Sequence, residues 1–141
     1  MRDFITSVSC FVLLFLTAVS AQPQSTAISK GNSMEITSGY IDVPDGKLFY
    51  EEAGQGPAIV LVHDGILHRE TWDDQFADFS RDHRVVRYDR RGYGRSPRAE
   101  KKYSNIEDLK ALFDQLKIDS AVVMGGSAGG GLTIDFTLKY P

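Results

Sequence analysis

The sequence is poor in the residues that would brace or bridge it. It holds one cysteine, Cys10, and three histidines, none of them beyond His83. A lone cysteine excludes an internal disulfide. Large basic clusters are missing too. The stretch DRRGYGR, Asp89–Arg95, carries three arginines on a turn, and Lys101 with Lys102 makes a pair. Both read as solvated charge, so nothing offers a nucleic-acid footprint. The formal net charge is −3. The longest apolar run, Ile5–Val19, has about 15 residues where a helix needs roughly 20 to span a bilayer. There is no internal repeat and no low-complexity tract.

What is present begins with a leader. MRDF supplies a positive charge, the apolar run follows, and VSA at Val19–Ala21 offers small residues for a signal peptidase. Residues 1–21 are therefore expected to be a signal peptide, the product secreted or periplasmic, with no stable membrane span after cleavage. The apolar run mostly follows Cys10, which argues against lipid attachment there. Cleavage removes that cysteine, and the net charge is unchanged because Arg2 and Asp3 leave together. Residues 22–33, QPQSTAISKGNS, are polar with no apolar period and are expected to be a flexible linker.

From Met34 the pattern changes. EITSGYIDV and KLFYEEA are β-branched and aromatic runs around PDG, where Pro44 and Gly46 suit a tight turn, which predicts a hairpin. AIVLVH, Ala58–His63, is apolar at nearly every position, as a strand covered on both faces requires. Trp72, Phe76 and Phe79 recur at helical spacing, RVVRYD reads as a strand, and Ile106, Leu109, Leu112, Phe113 and Leu116 share a helical face. Ser104 and Glu107 form an S-x-x-E capping box before it. SAVVMG, Ser120–Gly125, reads as another buried strand, and Ala128–Tyr140 as a helix. Strands alternating with helices predict an α/β fold with right-handed crossovers. The domain is expected over residues 34–141.

Between that last strand and helix lies GGSAG, Gly125–Gly129, which fits G-x-S-x-G. An abrupt strand-to-helix turn brings backbones so close that side chains at Gly125 and Gly129 would collide, and it holds Ser127 in a strained conformation. The Ala128 amide, at the helix start, points to where charge grows on an attacked carbonyl. Phosphate binding fits poorly, since no frame across 125–131 supplies G-x-G-x-x-G and no lysine completes a P-loop. The pentapeptide alone leaves two readings open, a nucleophile or a structural serine.

Two further segments bear on that choice. LVHDGILHRETWDDQF, Leu61–Phe76, and RYDRRGYGRS, Arg87–Ser96, precede the serine turn. With it they resemble the α/β-hydrolase family, which carries a His-Gly loop after its third strand and D-x-R-G-x-G-x-S after its fourth. The resemblance runs from about Tyr40 to Pro141. It implies a mostly parallel sheet with an N-terminal antiparallel hairpin, an incomplete α/β-hydrolase fold, with Ser127 as catalytic nucleophile on the turn after the fifth strand. It implies that the amides of Gly65 and Ala128 form an oxyanion hole, and that His63 and Asp89 organise loops. Asp64 stands where the family usually has glycine. Aspartate tolerates a left-handed conformation better than most residues, and its charge beside an oxyanion would weaken catalysis.

The family order is nucleophile, acid, histidine. After Ser127 come Asp135, inside the expected helix, and no histidine. The chain is thus expected to be the N-terminal portion of a serine hydrolase, lacking its acid and base and inactive by itself. A base drawn from upstream, His63 at the end of its strand, is turned elsewhere in the family. His68 and His83 sit on a loop and before a strand. The substrate class is a small-molecule ester or amide, and no metal or organic cofactor is implied. Serine on the turn argues against relatives that open epoxides or remove halides, which carry aspartate there. The alternative is a non-catalytic remnant or binding module, because the fifth strand, central in the family sheet, becomes an open edge prone to pairing or aggregation.

Overall fold

The computed structural model describes residues 34–141. The expected signal peptide and linker lie outside the described residues.

A five-stranded sheet is built in the order β1-β2-β4-β3-β5. β1 (Ile36–Val43) and β2 (Gly46–Ala53) form an antiparallel hairpin, β2 runs antiparallel to β4 (Arg84–Tyr88), and β3 (Ala58–Val62) lies parallel to β4 and to β5 (Ala121–Gly125). This is the mostly parallel sheet with an antiparallel start that the sequence predicts. Three helices pack on it: α1 (Asp73–Phe79), preceded by a single 3-10 turn at Arg69–Trp72, then α2 (Asn105–Gln115) and α3 (Ala128–Lys139).

The alternation along β3 explains its composition. Val60 and Val62 face one cluster with Leu109, Leu112, Leu132 and Phe136 of α2 and α3, while Ile59 and Leu61 face another with Phe76 of α1. A strand with a helix layer on each face has no polar side to show. β5 differs. It pairs with β3 on one side, and Val122, expected to be buried, is 61% exposed. Among the described residues nothing flanks its other edge, and Met124 is the β5 side chain that packs against the cluster around Phe76.

Local signals act partly as read. The Ser104 hydroxyl accepts from the Glu107 amide, but the Glu107 carboxylate turns to Lys139 and Tyr140, so the box is half made. The hairpin turn is Pro44-Asp45, with Asp45 at φ 56°. Gly46 is already in β2, and what it supplies is room, because a Cβ there would meet the Arg91 guanidinium at 2.9 Å. α2 ends in a Schellman arrangement, with Ile118 N–H bonded to the Phe113 carbonyl and Lys117 N–H to that of Asp114; Lys117, at φ 54°, occupies the position usually given to glycine.

Candidate active site

The C-terminal ends of β3, β4 and β5 lie side by side, which is where ligands bind in open α/β sheets. The three sequence motifs follow those ends. Ser127 sits between β5 and α3 at φ 50°, ψ −116°, a conformation L-residues avoid, and it is exposed. Close packing forces the turn. A Cβ on Gly125 would run into the Gly129 carbonyl, and one on Gly129 into the carbonyls of Val62 and His63. The helix therefore begins hard against the end of β3.

That contact brings the two expected oxyanion donors together. A Cβ at Gly65 would lie 3.3 Å from the Ala128 Cβ. Among the described residues neither the Gly65 nor the Ala128 amide donates a hydrogen bond. Asp64 has no need of the left-handed conformation that aspartate tolerates; Asp45, Lys117 and Ser127 are the described non-glycine residues with positive φ. Its carboxylate instead accepts from the amides of Ile66 and Leu67, at 2.6 and 2.7 Å. Those two bonds, first, hold its pKa below the ordinary carboxylate value.

His63 is fully buried, with both ring nitrogens engaged: Nδ1–H donates to the Asp64 carbonyl at 2.7 Å, and Nε2 accepts from the Arg90 amide at 3.0 Å. Burial is the main cause that lowers its pKa, and the Arg90 guanidinium adds to it. A neutral imidazole so tied has no free nitrogen for the Ser127 proton. His68 is half-buried on the loop and His83 partly buried ahead of β4.

Asp89 organises the turn after β4. Its carboxylate accepts from the Arg69 amide and guanidinium and from the Arg95 amide, and Ser96 Oγ bridges the Asp89 carbonyl at 2.6 Å to the Phe49 amide at 2.8 Å. A side chain at Gly94, φ 48°, would occupy the Asp89 carboxylate. Two of the three arginines are not solvated as the sequence reading has them. Arg90 and Arg91 are 8% and 5% exposed. Arg91 grips Asp108 of α2 through two bonds of 2.7 and 2.8 Å and also reaches the Pro44 carbonyl, and Arg90 donates to the Asp64 carbonyl. Burial is affordable because each charge meets an acceptor. Sequence reasoning also misses Tyr93, whose hydroxyl donates to the Gly65 carbonyl at 2.8 Å and whose ring meets that of His63 edge-on. Its place between the glycines of the DRRGYGRS turn is the available signal.

The α/β hydrolase family profile matches residues 59–139, from the second residue of β3 to the end of α3. The chain belongs to the alpha/beta hydrolase family. It is 34% identical over 110 residues to a bifunctional esterase/perhydrolase of Acinetobacter calcoaceticus, covering 73% of this chain and 40% of the relative. It is 26% identical over 125 residues to 2-hydroxy-6-oxo-6-phenylhexa-2,4-dienoate hydrolase of Comamonas testosteroni, covering 82% and 44%. Among solved structures, an epoxide hydrolase of Vigna radiata superposes with a TM-score of 0.71 at 26% identity, covering 76% of this chain and 35% of that one. This alpha/beta hydrolase chain thus spans less than half the length of these relatives. Among its described residues no three His, Cys, Asp or Glu side chains are placed to hold a metal ion, and no helix is long and apolar enough to cross a membrane.

Proposed function

We propose that this chain is the nucleophile-bearing portion of an exported serine hydrolase acting on small esters or amides. The observation that carries the reading is Ser127, exposed at φ 50° between two glycines that admit no side chain, with the free amides of Gly65 and Ala128 beside it. In this reading Ser127 Oγ attacks the carbonyl carbon while its proton passes to a histidine outside residues 1–141. The two amides hold the oxyanion, the leaving group takes the proton, and water then releases the acid and restores the serine. The esterase among the relatives supports the substrate class. Serine on the turn favours acyl chemistry over the epoxide opening of the Vigna radiata relative. The charged start, apolar run and VSA of residues 1–21 are the sequence features that support export.

The test compares the 141-residue chain with the product of the reading frame extended past Pro141. The extended protein hydrolyses a short acyl ester and takes up a fluorophosphonate probe, and Ser127→Ala abolishes both, a loss of at least about 1000-fold. The 141-residue chain alone turns nothing over. Ser127-dependent turnover by the short chain would overturn the account of the base, and turnover that survives Ser127→Ala would overturn the nucleophile.

A second reading is favoured by one observation: Val122 on β5 and Ile134 and Leu138 on α3 are 61%, 63% and 80% exposed. A non-catalytic module pairing its bare edge would stop at Pro141 in the transcript and run as a complex in sedimentation.

A further inference from the structure

Asp64 follows the buried His63 just past the end of β3, and the structure gives its carboxylate a definite task. We propose that Asp64 is a positioning residue whose carboxylate folds segment 64–67 into a closed turn and leaves the Gly65 N–H as the free donor facing the start of α3.

The argument is one of accounting for polar groups. Three amides follow Asp64. Its Oδ1 takes two of them, Ile66 at 2.6 Å and Leu67 at 2.7 Å. The carbonyls on either side of the remaining amide are occupied as well. That of Asp64 accepts from His63 Nδ1–H and from the Arg90 guanidinium, and that of Gly65 accepts from the Tyr93 hydroxyl at 2.8 Å. Both peptide planes that flank Gly65 are thereby fixed, and a glycine, otherwise the most mobile residue, is left one orientation. The same two bonds turn the negative oxygen onto local donors, so its charge is met within the loop. Closing the turn also sends the side chains of Ile66 and Leu67 outward, 89% and 50% exposed, so they do not cover the amide. With glycine at position 64 the amides of 66 and 67 would have no such acceptor, and the loop would depend on His63, Arg90 and Tyr93 alone. The titratable groups facing the carboxylate are His63, a neutral imidazole with both nitrogens engaged, and the Arg90 guanidinium, which donates to the Asp64 carbonyl.

Use of the Gly65 donor for an oxyanion rests on the hydrolase reading, whereas the geometry of the turn does not. Hydrogen exchange and amide chemical shifts of the 15N-labelled 141-residue chain therefore test the proposal directly, in the wild type, Asp64→Ala and Asp64→Asn. In the wild type the Ile66 and Leu67 amides are protected, the Gly65 amide exchanges freely, and the resonances of 66 and 67 move together in acid with a midpoint below the ordinary carboxylate range. Asp64→Ala speeds exchange at 66 and 67 by at least about tenfold and removes the acid titration. Asp64→Asn, which keeps an acceptor oxygen, retains most of the protection but not the titration, and it carries the test if the alanine variant fails to fold. Unchanged exchange in Asp64→Ala, equal loss in both variants, or a protected Gly65 amide would overturn the proposal. Ser127→Ala leaves all these signals in place, so failure of the hydrolase reading and failure of this one are told apart.

Discussion

The two sides of the candidate site are held by opposite means. On one side, the loop after β3 and the turn after β4 are fixed by charge: Asp89, Arg69, Arg90, Arg91 and Asp108 are all buried and bonded. On the other, among the described residues no charged side chain is bonded to the turn after β5. It is shaped by glycines that admit no side chain, and its outer flank is bare at Val122, Ile134 and Leu138. The first arrangement over-determines a geometry. The second stores strain at Ser127 and relies on backbone contact with β3 to hold it. An amide aimed at a fixed point needs the former, and a hydroxyl lifted free of the sheet needs the latter.

The comparison is broken most severely by removing a charge from the first side. Asp108→Ala leaves Arg91 buried without its partner, and a loss of about 3–5 kcal/mol is expected by denaturant unfolding. A loss under about 1 kcal/mol would mean that the pair is not what holds the turn to α2 and the hairpin. On the second side the sign reverses. Ser127→Gly relieves the positive φ and is expected to raise stability by about 1 kcal/mol while removing the proposed nucleophile. No gain would show that the turn is unstrained. The smallest effect is in pH. His63 has its pKa lowered in the folded chain, so the unfolded chain binds more protons below the ordinary histidine value of 6.5. Stability therefore stays level above that value and falls as pH drops through it toward the folded pKa. His63→Gln flattens that slope in melts between pH 7.5 and 5.5, and an unaltered slope would assign it to other groups.

What the sequence disclosed follows the same division. β3, the helix faces and the serine turn were legible because each is specified by neighbours in the chain: a two-sided apolar run, an apolar period, glycines at fixed offsets around a serine. The charged side was not. Arg91 reads as solvent-facing until α2 brings Asp108 to it, 17 residues on, and Pro44 of the hairpin closes over the same guanidinium. Gly46 looks like a turn residue until that guanidinium is seen to need its space. Asp64 belongs with them for a related reason: the bonds from its carboxylate to the amides of Ile66 and Leu67 show only once the loop is folded. Pairings between distant elements leave no local pattern.

The strand order has a consequence for biosynthesis. The ribosome releases the hairpin, β3 and β4 before β5, and with the turn after β4 they already hold the bonds His63–Arg90, Tyr93–Gly65 and Asp89–Arg95 that shape residues 63–67 and 89–96. β5 follows them in the sequence and pairs with β3 at the edge of the described sheet, so the strained serine docks against a β3 end that is already in place.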